Sequence, residues 1–262
     1  MSIQTDLAGE IIDGFSGENF PGRRAGRLFG VPTEEIRIET AEEAEKIGKP
    51  VGRYVTVEWD SVTGLLAETD REVKALAAVL SGFLPERGTV FAVGIGNREL
   101  TSDALGAKSL EHLSVGVGEN RKLCALSTGV SGRTGFEPLS MIRFAAEHIK
   151  PSAILLIDAL AAEKIGRIGK TVQVTDAGLW PGSGVGETKA ELSERTLGVP
   201  VVAVGMPTVI RYPRELSGGR AVFVSPGDVD LLVRRASRLI AMSVDLAVFP
   251  ELGLELVKEM VL

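Results

Sequence analysis

The sequence contains few of the residues from which many catalytic sites are built. Among its 262 residues are one cysteine, Cys124, and two histidines, His112 and His148. A lone cysteine excludes an internal disulfide and indicates a reducing, intracellular compartment, with Cys124 as a buried structural thiol. We interpret both histidines as surface or helix-end residues, so a Ser-His-Asp triad and a histidine-rich zinc site lack their parts. A metal held by carboxylates alone is the alternative that this leaves open.

Long apolar runs and excess positive charge are also missing. No stretch approaches 18 uninterrupted apolar residues, and the N-terminal residues show no apolar signal-peptide region. The net charge of -6 and the pI of about 5.2 disfavour nucleic acid or an anionic membrane as the main partner. We therefore expect a cytoplasmic protein that binds neither nucleic acid nor membrane.

Short apolar runs alternate with helical patterns through the centre of the chain. The runs are nearly continuous, as is typical of strands buried on both faces, and they cover 88–97, 122–128, 152–160, 171–176 and 199–206. An amphipathic helix over 70–84 precedes them and a long C-terminal helix follows. Between them lie helix-like stretches at 103–113, 137–149 and 159–166. This order predicts an α/β fold with a twisted, mostly parallel central sheet flanked by helices.

The N-terminal part gives a different pattern. Residues 1–30 are rich in glycine and charge without a clear period, which predicts an irregular arm. The alternating segments EIRIET and GRYVTVEW that follow predict a small β-containing layer. Because no linker or repeat divides the chain, we expect residues 1–262 to form a single α/β domain.

Three aspartates follow apolar runs, which is where ligands bind in open parallel sheets. Asp103 lies at the start of a helical stretch, Asp158 ends AILLID and Asp176 ends TVQVTD. Each of them could simply cap a helix by accepting backbone N–H groups. Alternatively, two carboxylates at neighbouring strand ends can share a proton, so that the pair activates water as a base and protonates a leaving amine as an acid. The residues alone leave open which two would form such a pair.

Glycines are concentrated in the segment DAGLWPGSGVG, residues 176–186. Gly182, Gly184 and Gly186 permit close backbone approach, so successive N–H groups could bind a carbonyl oxygen or an anion; a tight structural crossover is the alternative. Nucleotide motifs do not fit this sequence. GIGNRE has Glu99 where a dinucleotide fingerprint needs its third glycine, and GSGVGETK cannot be aligned with a P-loop.

Longer motifs, in the same order along the chain, resemble the spore germination protease family. They are TDLAGE, IGKPVGRYVTVE, VGIGNRELTSDALGAK, STGVSGRTGFE and AILLIDALAAEKIGRIGKTVQVTDAGLWPGSGVGETKAELSERTLGVPVVAVGMPTVI. Together these motifs extend over most of the chain, and the last is far more specific than any short fingerprint. The family is regarded as a group of atypical aspartic peptidases whose fold is similar to that of hydrogenase-maturation endopeptidases.

The resemblance implies a function and a site. It implies an endopeptidase that degrades small acid-soluble spore proteins in the cytoplasm of the spore core, as a homotetramer and without a metal or cofactor. Matching the motifs residue by residue makes Asp103 and Asp158 the catalytic pair. The resemblance places further residues along the cleft, where they would position the scissile peptide: Asp176, Trp180, Gly182, Ser183 and Gly184.

The sequence departs from the family pattern in three places. Trp180 stands where family members usually carry histidine, which removes a possible proton donor and adds bulk. In the family, the propeptide of a zymogen precedes the TDLA element, whereas only four residues precede it in this sequence. We therefore expect self-processing only if residues 1–30 serve as the propeptide. The segment between GRYVTVE and VGIGN is shortened. Two alternatives stay open: a processing endopeptidase of the hydrogenase-maturation type, and a non-catalytic relative that keeps the fold.

Overall fold

The computed structural model describes residues 5–14, 20–60, 62, 68–181, 190–212 and 222–261. The strands are β1 Arg23–Leu28, β2 Val31–Ile38, β3 Gly52–Glu58, β4 Gly88–Ile95, β5 Gly116–Val117, β6 Arg121–Gly129, β7 Ala153–Ala162, β8 Thr171–Thr175, β9 Val201–Tyr212 and β10 Val222–Val224. The helices are α1 Ala8–Gly14, α2 Ala41–Ile47, α3 Asp70–Ser81, α4 Leu105–Leu110, α5 Ser131–Thr134, α6 Pro138–Ile149, α7 Glu194–Leu197, α8 Val229–Val248 and α9 Gly253–Val261. Short 3-10 helices lie at Thr101–Asp103, Ile165–Arg167 and Pro250–Leu252.

All of these strands join one sheet, in the order β1-β2-β3-β8-β9-β7-β4-β6-β5, with β10 paired to the far part of β9. The central strands β9, β7, β4 and β6 are parallel to one another, which confirms the predicted parallel centre. The strands on either side are antiparallel. The small N-terminal β layer is therefore part of the same sheet, because β3 pairs with β8.

Alternating side chains along the central strands supply a core on each face of the sheet. Val90 and Ala92 of β4 pack with α3, α4, α8 and α9 in the larger hydrophobic cluster. Phe91 and Val93 point to the other face and pack with α6 and α7. The sheet is thus covered by helices on both faces, as the nearly continuous apolar strands predict.

Two expectations for the chain path are wrong. Residues 1–30 are not an irregular arm throughout, because Ala8–Gly14 is helical and Arg23–Leu28 is a strand. The stretch 159–166 is not a helix: β7 continues to Ala162, because residues 159–162 remain paired with β9. Among the described helices, including the 20-residue α8, none has both the length and the apolar character that a membrane span needs.

Candidate active site

A cleft of about 840 Å³ opens at one end of the sheet, beyond the point where β4 and β6 end. Its walls come from segments that are distant in sequence: the loop after β4, the connection from β6 to α6, the second half of β7, β8 and the loop after it, β9, and the N-terminal segment. Ligands bind in the corresponding position in open α/β sheets. This cleft is therefore the candidate active site.

Asp103 lines the cleft from the 3-10 turn between β4 and α4. Its Oδ2 accepts a hydrogen bond of 2.6 Å from the backbone N–H of Asn97. Gly96 has a φ of +100° and packs so closely that an added Cβ would lie 2.1 Å from the carbonyl oxygen of Asp103. The Thr208 hydroxyl on β9 donates a 2.5 Å hydrogen bond to the carbonyl of Ser102. The turn that carries Asp103 is thus held by the loop after β4 and by β9.

Asp158 lines the same cleft from inside β7 rather than from its end. By alternation it points to the same face as Ile154 and Leu156, which is the face covered by α6. Only 7% of the residue is exposed, and its Oδ1 accepts a 2.8 Å hydrogen bond from the backbone N–H of Ala159. The structure therefore brings Asp103 and Asp158, far apart in the chain, to one cavity.

Gly205 separates Asp158 from Gln173 in the sheet. The register pairs Asp158 of β7 with Gly205 of β9, and Gly205 in turn with Gln173 of β8. A Cβ at Gly205 would lie 2.7 Å from the carbonyl oxygen of Asp158 and 2.8 Å from the side chain of Leu160. The Asp158 carbonyl and the Leu160 side chain thus fill the space beside Gly205, and glycine is required at this position of the cleft floor.

Asp176 is not with the other two aspartates, contrary to its predicted place in the cleft. Its Oδ1 accepts a 2.7 Å hydrogen bond from the backbone N–H of Arg53, at the start of β3. The reason is the direction of β8, which is antiparallel to β9. Asp176, which directly follows β8, therefore lies near the start of β9.

Trp180 lines the cleft and is partly buried. The chain on its N-terminal side is fixed by reciprocal backbone hydrogen bonds of 2.9 Å between Leu179 and Leu192. Gly182, Ser183 and Gly184, the other predicted members of this wall, lie outside the described residues.

The N-terminal segment forms a wall of the cleft that the sequence did not predict. Asp6 exchanges two hydrogen bonds with Ala161 of β7: its N–H donates to the Ala161 carbonyl at 2.9 Å, and its Oδ2 accepts the Ala161 N–H at 2.8 Å. The amide of Gln173 donates to the carbonyl of Asp6 at 2.9 Å and accepts from the N–H of Ala8 at 2.8 Å. TDLAGE was a signal for this segment, but its partners could not be identified from it.

The buried carboxylate of Glu10 holds the N-terminal segment in place. Glu10 is 1% exposed and accepts hydrogen bonds from the hydroxyl of Thr5 at 2.5 Å and from the backbone N–H groups of Glu163 and Lys164 at 2.7 and 2.8 Å. These contacts join the start of α1 to the chain just after β7. The segment and the strand that carries Asp158 are therefore held together.

Lys49 is a second cleft residue that sequence reasoning missed. It follows α2, and its Nζ donates a 3.2 Å hydrogen bond to the carbonyl of Asp6. Burial lowers the pKa of Lys49, and the carboxylate of Asp6 opposes that effect. Lys49 lies in the motif IGKPVGRYVTVE, which is the signal that could have drawn attention to it.

The described residues include no group of three or more His, Cys, Asp or Glu side chains arranged to hold a metal ion. His148, on α6, has its Nδ1 2.8 Å from the carbonyl oxygen of Phe144 in its own helix. The polar groups that the cleft offers for chemistry are thus mainly carboxylates, hydroxyls, amides and one ammonium group.

A family model described as germination protease matches residues 27–214. This match covers more than half of the chain and includes both Asp103 and Asp158. The chain belongs to the germination protease family. It is accordingly a peptidase.

Individual relatives named germination protease are similar over most of the chain. The protein of Clostridium acetobutylicum is 38% identical over 231 residues, which cover 80% of this chain and 71% of the relative. That of Priestia megaterium is 33% identical over 264 residues, covering 90% and 69%. Among solved structures, the [NiFe] hydrogenase maturation protease HycI from Thermococcus kodakarensis is similar with a TM-score of 0.38 and 22% identity, over 63% of this chain and 97% of that one.

Proposed function

We propose that this peptidase is an endopeptidase that cleaves small acid-soluble spore proteins with a water molecule activated by Asp103 and Asp158. Membership of the germination protease family supports the class of reaction. The observation that carries the mechanism is that both carboxylates line one cleft at the end of the sheet. Asp176, whose carboxylate accepts from the backbone of β3, is not part of the pair.

The two carboxylates divide the proton transfers between them. One of them, ionised, accepts a proton from water while the water oxygen attacks the carbonyl carbon of the scissile peptide bond. The other, protonated, donates its proton as the C–N bond breaks and the amine leaves. A C–O bond thus replaces the C–N bond. Like charges at short range disfavour double ionisation, so a pair of this kind suits the task of holding one proton between two groups.

The surrounding structure restricts the orientation of both groups. The Asn97 N–H fixes one oxygen of Asp103, and the Ala159 N–H fixes one oxygen of Asp158. Fixed groups need less reorganisation during the reaction than freely rotating ones. The peptide would lie across the part of the cleft floor that β7, β9 and β8 form, beside Asp158.

Isosteric amides test the pair. We expect Asp103→Asn and Asp158→Asn each to lower kcat/KM by at least about 100-fold, because an amide can neither accept the proton of water nor donate an acidic proton. Asp176→Asn is the matched control and should stay within about threefold of wild type. The measurement is cleavage of a purified small acid-soluble spore protein, followed by the mass of its fragments, with thermal unfolding as the check on folding. Near wild-type activity in either cleft variant would show that the pair is wrongly assigned.

The same assay tests the substrate class. We expect two or more internal fragments whose masses add up to the intact spore protein plus water for each bond cut. If the spore protein stayed intact while a hydrogenase precursor were trimmed, the substrate proposal would fail and the processing alternative would replace it.

A further inference from the structure

The proposed proton transfers leave one atom of the scissile peptide bond without a partner. Asp103 and Asp158 act on the attacking water and on the leaving amine, whereas negative charge develops on the carbonyl oxygen when water attacks. Hydrogen-bond donors that are held in place around this oxygen stabilise the charge and speed the reaction. A donor of this kind belongs in the same cleft as the two aspartates.

Ser131 lines the cleft where β6 leads into α5. Its Oγ is buried, and it has no hydrogen-bond partner among the described residues. Two other hydroxyls of the cleft are already committed to backbone carbonyls. Tyr54 donates to Pro50 at 2.8 Å, and Thr208 donates to Ser102. A buried hydroxyl without a partner is costly, so an oxygen that accepts from Ser131 during the reaction would be stabilised there.

The strand register brings Ser131 to the level of the aspartate pair. Asp158 directly follows the residue of β7 that pairs with Gly94 of β4. The next residue of β4, Ile95, pairs with Gly129, the last residue of β6. Asp158 and the end of β6 are therefore at one level along the strands, with β4 between them. Adjacent strands lie about 4.8 Å apart, so β7 and β6 are separated by about 10 Å, which leaves room for a peptide backbone across the end of β4.

The chain around Ser131 is fixed and leaves space for a ligand. Gly129 has a φ of +63°, which turns the chain out of β6. The N–H of Gly135 closes α5 by donating to the Ser131 carbonyl at 2.9 Å. Gly132 also lines the cleft, and a Cβ added there would meet no atom within 4 Å. A substrate backbone can therefore approach closely beside Ser131.

We propose that the Ser131 hydroxyl is the donor that stabilises the carbonyl oxygen of the scissile peptide bond as negative charge develops on it. This inference rests on the proposed endopeptidase function. Ser131 donates a hydrogen bond only: it forms no bond to carbon and keeps its proton, while Asp103 and Asp158 carry out the proton transfers. Because the hydrogen bond strengthens as the charge develops, Ser131 acts on kcat rather than on the affinity for substrate.

Removal of the hydroxyl tests the assignment. We expect Ser131→Ala to lower kcat by about 100-fold, as the loss of one such donor does, and to change KM by less than about threefold. Folding should be unaffected, because the variant removes a buried polar atom that has no partner among the described residues. The measurement is cleavage of a synthetic peptide that spans a bond cut in a small acid-soluble spore protein, with thermal unfolding as the check on folding.

A thioamide peptide tests the contact itself. In this matched peptide, sulfur replaces the carbonyl oxygen of the scissile bond, and sulfur accepts hydrogen bonds more weakly than oxygen. The replacement changes the intrinsic reactivity of the bond equally for both enzymes, so a contact with Ser131 is what makes the ratio of the two rates differ between them. We expect the ratio of kcat on the amide to kcat on the thioamide to be at least about tenfold larger for wild type than for Ser131→Ala.

The control and the outcomes separate the two proposals. Ser127→Ala, at an exposed serine of β6 that does not line the cleft, should behave as wild type on both peptides. If Ser131→Ala keeps kcat within about threefold of wild type, or shows the wild-type ratio of amide to thioamide cleavage, this inference is overturned. If wild type cleaves neither the spore protein nor the peptide, it is the proposed function that fails.

Discussion

Asp245 shows how a single buried residue makes stability depend on pH. It lies in α8 with no exposure, and its oxygens accept hydrogen bonds from the N–H of Ser114, at 3.1 Å to each, and from the Ser114 hydroxyl at 2.6 Å. Burial raises the pKa of Asp245 from its usual 3.8 to about 6, although the Ser114 hydrogen bonds oppose this. A raised pKa in the folded state means that the protonated carboxyl is the stabilising form.

We predict that Asp245→Asn removes a pH dependence of stability. The contribution of Asp245 is fully present below pH 3.8 and is lost as the pH rises through about 6, which at 1.36 kcal/mol per pH unit amounts to about 3 kcal/mol. The difference in free energy of unfolding between variant and wild type should therefore change by about 2 kcal/mol in favour of the variant between pH 4 and pH 7, because most but not all of the full change falls within that interval. Urea unfolding at both pH values measures it. Asp230→Asn, on the exposed side of α8, should show no such change.

Substitutions of Trp180 test whether Asp103 and Asp158 are sufficient for the proton transfers of catalysis. It lines the cleft at the position where the family resemblance implies histidine. If Asp103 and Asp158 suffice, wild type cleaves the spore protein and Trp180→His changes kcat by less than about tenfold, or 1.4 kcal/mol. Trp180→Phe keeps an aromatic wall and serves as the control. Activity that appeared only in Trp180→His would contradict this and favour a non-catalytic natural protein.

At the scale of elements, the N-terminal segment depends on one carboxylate. Glu10→Ala leaves the Thr5 hydroxyl and the N–H groups of Glu163 and Lys164 without their acceptor. We expect a loss of about 2 to 4 kcal/mol in the free energy of unfolding, because buried donors that lose a charged acceptor are costly. Denaturant unfolding provides the measurement.

The control for this prediction is Asp13→Ala in the same helix. Asp13 is exposed and forms surface ion pairs with Arg23 and Lys164, and such pairs contribute less than about 1 kcal/mol. Equal losses for the two variants would show that the buried network around Glu10 has no special part in stability.

Two strands of the sheet show which features of the fold the sequence predicts and which it does not. The continuous apolar run at 152–160 correctly predicts the buried strand β7, because burial on both faces leaves that pattern. The run at 171–176 has the same character, yet β8 is antiparallel to its neighbours. Strand direction depends on partners elsewhere in the chain and leaves no mark in local hydrophobicity. Asp176 was misplaced for this reason.

For the whole molecule, the parallel centre of the sheet and the common location of Asp103 and Asp158 could be predicted from strand pattern and motifs. The wall formed by the N-terminal segment could not. Its contacts join Asp6 to Ala161, 155 residues later in the chain, and polar pairing over such a separation has no periodic signal. Lys49 escaped notice because its hydrogen bond is to the Asp6 carbonyl, in that same wall.

Gly205 connects the packing of the sheet with the position of Asp158. Even a methyl group there would collide with the carbonyl of Asp158 and the side chain of Leu160. Any substitution of Gly205 therefore disturbs the strand that carries Asp158, even in the protein without substrate. Natural selection against misfolded chains alone would therefore preserve the glycine beside Asp158, without any selection for catalytic activity.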